Sequence, residues 1–150
     1  MTQGSVPRLL KSQPILVVDD SEDDFEATKR AFVKANLYNS IDHASSGEEA
    51  LTYLRDKNIA RPGLILLDLN MPGLDGRKTL EIIKNTEELR KIPVVVLTTS
   101  DDERDVRGCY ELGANTYIQK PVDFDGLIGA VRRLKEYWFE IAILPREMGE

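Results

Sequence analysis

Residues 14–24 read PILVVDDSEDD. Four branched apolar residues, Ile15 to Val18, run directly into two carboxylates, Asp19 and Asp20. Unbroken apolarity over so short a run predicts a strand covered on both faces, as in a parallel sheet, rather than a half-exposed one. Adjacent carboxylates at its end repel each other. Water tolerates that repulsion, but the edge of a dry interior does not, so a cationic partner is expected there.

Four further runs of the same kind lie downstream: SIDHAS around 40–45, LILLD at 64–68, VVVL at 94–97 and TYIQ at 116–119. Between them the apolar residues take helical spacing. Ala27, Ala31, Phe32 and Ala35 share one face, and their small side chains let a helix approach the sheet closely. Ala50, Leu51 and Leu54 mark a second helix after Ser46 and Gly47, and Leu80 and Ile83 a third after Gly76. Val106, Cys109, Tyr110 and Gly113 mark a fourth. Leu127, Ile128, Val131, Leu134 and Trp138 give a fifth its apolar stripe, with Asp123 placed as its N-cap. Five strands alternating with five helices make a doubly wound α/β domain, which binds ligands at the carboxyl ends of its strands.

Composition sets the outer bounds. The 150 residues suit one domain with a sizeable core, 41% hydrophobic and 31% charged. A net charge of −6 argues against a nucleic-acid surface, because phosphate backbones favour Lys and Arg. A single Cys excludes a disulfide within the chain. No apolar run approaches the ~20 residues of a membrane span, so no membrane association is expected. The opening MTQGSVPRLLKSQ lacks the apolar stretch of a signal peptide, and a cytoplasmic location is expected.

The strand ends carry the chemistry. The first delivers Asp19 and Asp20, and the third delivers Asp68 followed by LNMPGLDG. The fourth delivers Thr98, Thr99 and Ser100, and the fifth delivers Lys120 before Pro121. Three carboxylates in one cleft invite a hard divalent cation, and oxygen ligands with retained waters suit Mg²⁺. With one Cys and one His, a zinc site is out of reach. A cation held by Asp20 and Asp68, with open positions, seeks phosphate oxygens. Lys120 would neutralise a further oxygen and Thr98 would hydrogen-bond another, while Asp68 can attack phosphorus. Pro72, Gly73, Asp75 and Gly76 make a sharp turn that leaves Asp68 at an accessible rim, where the carbonyl of Asn70 could ligate the metal.

ILVVDD, LILLDLNMPGLDG, VVVLTTS and YIQKP together resemble the four signatures of receiver domains of two-component response regulators, in order and at the family's spacing. The fold expected is a five-stranded parallel sheet, flavodoxin-like with strand order 2-1-3-4-5, and five helices. The resemblance implies that Asp68 is the phosphoacceptor, that Asp20 ligates Mg²⁺ directly and Asp19 through water, and that Asn70 contributes its carbonyl. It further implies that Thr98 is the switch hydroxyl, Lys120 the phosphate-pairing ammonium and Tyr117 the aromatic switch. A cis bond between Lys120 and Pro121 belongs to the same pattern.

The resemblance implies a signalling switch rather than an enzyme, with at most slow self-dephosphorylation. It would accept a phosphoryl group from a sensor histidine kinase. LKEYWFEIAILP resembles the C-terminal signature of the small single-domain regulators served by cyanobacterial-type phytochromes, which implies a phytochrome-type kinase and a homodimer. The organisation expected is a lead-in at 1–12, a receiver at 13–138 and an apolar extension at 139–150 that dimerises or caps the core. One rival is a receiver-fold binding module that works without phosphorylation. Another is an aspartyl-nucleophile phosphatase, disfavoured because position 70 is Asn where a second Asp would serve acid–base chemistry. His43, Cys109 and the run Asp101 to Glu103 read as structural: a strand residue away from the cleft, a small core hydrophobe and a solvated helix start.

Overall fold

The computed structural model describes residues 13–141, with side chains through Trp138. The expected lead-in and residues 142–150 of the expected extension lie outside the described residues. Chain order is β1 (Ile15–Val18), α1 (Glu22–Lys34), β2 (Ile41–Ala44), α2 (Gly47–Arg55), β3 (Leu64–Leu67), α3 (Gly76–Lys84), β4 (Val94–Thr98), α4 (Glu103–Leu112), β5 (Thr116–Gln119) and α5 (Phe124–Leu134). A π-helical segment, Lys135–Ile141, continues from α5. All five strands are parallel in the order β2-β1-β3-β4-β5, the expected doubly wound arrangement.

The strand runs are continuously apolar because successive side chains alternate between faces and both faces are covered. Leu16, Val18, Ile65, Leu67, Val94 and Val96 pack with Leu51 and Leu54 of α2, Leu80 and Ile83 of α3, and Cys109 of α4. Ile15, Val17, Leu64, Leu66, Val95 and Leu97 face the other way, onto Phe25 and Phe32 of α1 and Leu127, Val131 and Leu134 of α5. Burying each such side chain stabilises the fold by roughly 1.5–3 kcal/mol. Trp138 closes the second layer and is buried, while Tyr137 beside it stays half exposed. On α4 only part of the expected stripe is interior. Cys109 is buried and Tyr110 half exposed, and Gly113 is not helical but the left-handed C-cap at φ 109°.

Each helix begins on a capping side chain: Ser21, Ser46, Asp75, Asp102 and Asp123 accept a backbone N–H from the first turn of the helix they precede. The acidic run at 101–103 is therefore the exposed, capped start of α4, as its sequence suggested. No helix among the described residues is long and apolar enough to cross a membrane.

Two local features position the functional edge and its opposite. At Gly76 an added Cβ would stand 2.2 Å from the Asp68 carbonyl oxygen and 2.6 Å from Leu69 Cα, so only glycine lets α3 start against the end of β3. At the far end of α3, the Lys84 ammonium donates to the carbonyls of Arg90 (2.9 Å) and Ile92 (2.8 Å) and to Asn115 Oδ1 (3.2 Å). Asn115 Oδ1 also accepts from Val94 N–H, so Lys84 ties α3 to the entries of β4 and β5. Burial pulls its pKa down to about 8.

Gly76→Ala is expected to lower unfolding stability by about 3 kcal/mol, since backbone atoms rather than flexible side chains must give way; the shift in urea midpoint measures it. For Lys84, the unfolded chain binds the proton more tightly than the folded one between about pH 8 and 10.5. The burial cost is thus fully present below pH 8 and relieved as pH rises through that window. Wild type should gain stability relative to Lys84→Met across it, read from paired urea titrations.

Candidate functional site

Parallel register assembles the site. Val18 of β1 stands opposite Leu67 of β3, so the next residues, Asp19 and Asp68, emerge side by side. Backbone bonds hold both exits, from Asp68 N–H to the Val18 carbonyl and from Asp19 N–H to the Ala44 carbonyl, each 3.0 Å. Thr98 of β4 pairs with Gln119 of β5, which brings Lys120 to the same edge, its N–H 2.6 Å from the Thr98 carbonyl oxygen. Asp19, Asp68 and Thr98 are 4%, 9% and 0% exposed, whereas Asp20 is open to solvent. Carboxylate oxygens of Asp19, Asp20 and Asp68 lie within 4.8 Å of one another.

The Lys120 ammonium is the counter-charge to this cluster. It donates to Asp19 Oδ2 at 3.0 Å and to Asp24 Oδ2 at 3.2 Å, with only 12% of its side chain exposed. Burial alone would lower its pKa, yet Asp19, then Asp68 and Asp24, outweigh it and hold the ammonium firmly charged. Burial pushes the Asp68 carboxyl above the usual aspartate range. The nearby Lys120 charge and the Thr98 hydroxyl pull it back, and the Asp19 charge adds to the push. The other oxygen of Asp19 is occupied by the Ser21 N–H at 2.9 Å.

Asn70 leans over Asp68. Its N–H donates to Asp68 Oδ1 at 3.3 Å, and its side-chain amide reaches Thr98 Oγ1 at 3.4 Å. Tyr117 is part-buried, and its hydroxyl donates to the Ser100 carbonyl at 2.9 Å. Ser100 Oγ in turn donates to Asp105 Oδ2 at 2.8 Å, and Arg77 binds Asp105 Oδ1 through Nε (2.9 Å) and Nη2 (2.7 Å). A continuous polar chain therefore runs from β5 through the β4–α4 turn to the start of α3.

All seven sequence-predicted residues, Asp19, Asp20, Asp68, Asn70, Thr98, Tyr117 and Lys120, lie at or beside this edge. Three partners are not among the sequence-predicted residues, Asp24, Arg77 and Asp105; Ser100, expected at the end of β4, gains its partners only in the fold. Asp24 carries only a weak signal in the sequence, being one of three acids in the first turn of α1, where any acid suits the helix dipole. Two expectations need correction. The Lys120–Pro121 bond is trans, the favoured isomer of such a bond, for no cis peptide occurs among the described residues. His43 is not away from the cleft: its Nε2 lies 2.8 Å from the Asp19 carbonyl oxygen, and its ring stacks on Phe25 at 4.0 Å. β2 neighbours β1, which brings His43 up behind the acidic pair. Its role is still structural, a buttress to the Asp19 backbone.

Chemically, four carboxylates face one ammonium at this edge. The donors are all oxygen, with no thiolate or imidazole among the clustered acids. Such a set fits a hard divalent cation that leaves positions open for other oxygens.

Residues 15–132 match the response regulator receiver domain. The probable methanogenesis regulatory protein FilR2 of Methanothrix harundinacea is 40% identical over 83% of this chain and 82% of its own. The response regulator Rcp1 of Synechocystis sp. is 38% identical over 87% of this chain and 92% of its own. Its Mn²⁺-bound crystal structure superposes with a TM-score of 0.82 over 89% of this chain and 99% of that one, at 37% identity. The phosphorylated cyanobacterial phytochrome response regulator RcpA, also 37% identical, gives 0.84 over 90% and 99%.

The polar chain through Asp105 generates a stability prediction. Asp105→Ala removes the acceptor shared by Arg77 and Ser100, and should cost about 1 kcal/mol given the partial exposure of the pair. Amide exchange should quicken within residues 99–106 and leave β1 and β3 protected, as hydrogen-exchange mass spectrometry would detect.

Proposed function

The chain belongs to the response regulator receiver family, and from that premise we propose that it takes a phosphoryl group from a sensor histidine kinase onto Asp68 and signals by changing shape. The observation that carries this reading is the convergence of Asp19, Asp20 and Asp68 with Lys120 and Thr98 at one sheet edge. In the transfer, an Asp68 oxygen attacks phosphorus as the bond to the kinase imidazole nitrogen breaks. Burial makes the Asp68 carboxylate more basic than an exposed one, which favours attack.

Asp19, Asp20, Asp68 and the Asn70 carbonyl would hold Mg²⁺, which supplies charge neutralisation to the phosphoryl oxygens when bound. Lys120 then pairs with a phosphoryl oxygen and Thr98 donates to another. Phosphorylation adds about −1.5 to −2 charge at pH 7. Thr98 moves toward that charge and Tyr117 turns into the space it leaves, which alters the surface formed by α4, β5 and α5.

The protein acts as a phosphoacceptor switch in the cytoplasm, with slow self-dephosphorylation rather than turnover of a small substrate. The likeness to RcpA, itself a phytochrome response regulator, supports a phytochrome-type kinase as donor. Residues 13–138 form the receiver and residues 139–150 extend it toward a homodimer contact. Burial of Trp138 against the second core layer supports counting it with the receiver.

Incubation with acetyl phosphate and Mg²⁺ should add one phosphoryl group, detected by intact mass, and Asp68→Asn should remove that uptake while leaving the circular dichroism spectrum unchanged. Chelation of the divalent ion should have the same effect on wild type. Uptake that persists in Asp68→Asn at no neighbouring carboxylate, or a wild type that takes up nothing, refutes the assignment. Light scattering on the same samples reports whether mass in solution follows phosphorylation.

A further inference from the structure

We infer that Asp24 is a positioning residue for the phosphoryl site: it holds the Lys120 ammonium on the α1 side, and the ammonium has to leave it to reach a phosphoryl group on Asp68. The inference rests on the reading of Asp68 as phosphoacceptor.

The geometry is specific. Within ion-pair distance Lys120 meets Asp19 at 3.0 Å and Asp24 at 3.2 Å, whereas Asp68 acts on it only through its longer-range field. Asp24 is the third residue of α1, and its backbone is fixed on both sides. Its N–H donates to the capping Ser21 Oγ at 3.1 Å, and its carbonyl accepts from Thr28 Oγ1 at 2.9 Å. The carboxylate is therefore aimed across at Lys120 by a rigid first turn. Its half-exposed position, 49%, means that it loses little hydration by holding the ammonium. Asp19 is a different partner, since it is buried and occupied by Ser21 N–H on its other oxygen.

The Asp24 side of the lysine is open. Asp24, Thr28 and Lys120 line an open cleft of roughly 150 Å³ between α1 and the start of α5, shared with Pro121, Phe124 and Leu127. Asp68 does not line this cleft, so the ammonium has to leave the Asp24 side to reach an oxygen above Asp68. The two anions thus compete for one cation. Asp24 favours the unphosphorylated form by the free energy of its pair with Lys120, and that bias is removed with its charge.

The test is calorimetric titration of beryllofluoride at saturating Mg²⁺ in wild type, Asp24→Asn, Lys120→Ala and the double variant. Asp24→Asn keeps the side-chain shape and should tighten beryllofluoride binding about two- to five-fold, the range of a partly exposed ion pair. In the Lys120→Ala background the same substitution should have no more than a residual effect, because the competition is gone. Asp24→Glu, which keeps the charge, should return binding toward wild type. An Asp24→Asn affinity equal to wild type, or an equal gain with and without Lys120, overturns the role of Asp24 while leaving the phosphoacceptor intact. Absence of binding by wild type overturns the phosphoacceptor reading itself, and this inference with it.

Discussion

Asp19 and Asp68 leave adjacent parallel strands one register step beyond Val18 and Leu67, both nearly removed from water. Two carboxylates so placed would repel each other strongly without a compensating cation. That single juxtaposition governs the rest of the edge. It calls for the Lys120 ammonium that follows β5, 3.0 Å from Asp19, and for the backbone N–H donors of Ser21 to Asp19 and of Asn70 to Asp68. It also leaves a net negative cleft, whose oxygen ligands fit a hard divalent cation. The two apolar layers serve this arrangement. Sliding a strand by one residue would move every side chain onto the opposite packed layer and break the fit on both, so the acids cannot relax apart.

Much of this was legible in the sequence, for identifiable reasons. ILVV, LILL and VVVL are fully buried, so their pattern needed no decision about which face is wet. β2 and β5 were harder to read from IDHA and TYIQ, because they are the sheet edges and their side chains are only partly covered. The turn residues after Asp68 were legible because Asp75 caps α3 and Gly73 takes φ 71°, both local requirements. The carboxylates and Lys120 could be assigned together because a parallel sheet presents the ends of all its strands at one edge.

What was not legible depends on contacts that no local rule encodes. Asp24 sits among Glu22, Asp23 and Asp24, three acids equally suited to the start of a helix. Which one faces Lys120 is decided by how α1 lies on the sheet. Arg77 and Asp105 are 28 residues apart and belong to neighbouring helices, so their pairing appears only once α3 and α4 are packed. His43 was set aside because β2 carries no residue of the cleft. Yet its ring reaches past the strand to the Asp19 carbonyl, and adjacency in the sheet rather than in sequence makes that contact possible. In each case the residue type was compatible with a plain surface or structural role, and tertiary packing chose the partner.

The polar chain beyond the cleft bears on how a local charge could become a change of surface. Thr98 and Ser100 are two residues apart at the exit of β4. Thr98 is buried beside Asp68, while the carbonyl of Ser100 holds the Tyr117 hydroxyl and its side chain holds Asp105. Under the proposed phosphoryl transfer, a pull on Thr98 acts on the same short segment that carries both bonds. The Ser100 carbonyl cannot follow that pull and keep Tyr117 in place, since the ring is anchored in β5 through its own backbone, whose N–H donates to the Tyr110 hydroxyl at 3.1 Å. One of the two arrangements has to give way. The bonds at stake are few and partly exposed, each worth on the order of 1 kcal/mol, so their exchange lies within reach of the charge that arrives on Asp68. Arg77 holds Asp105 from the α3 side in a paired contact of 2.7 and 2.9 Å, which resists drift of α4 in the resting state. A switch built this way is poised because its resting contacts are well formed but individually weak.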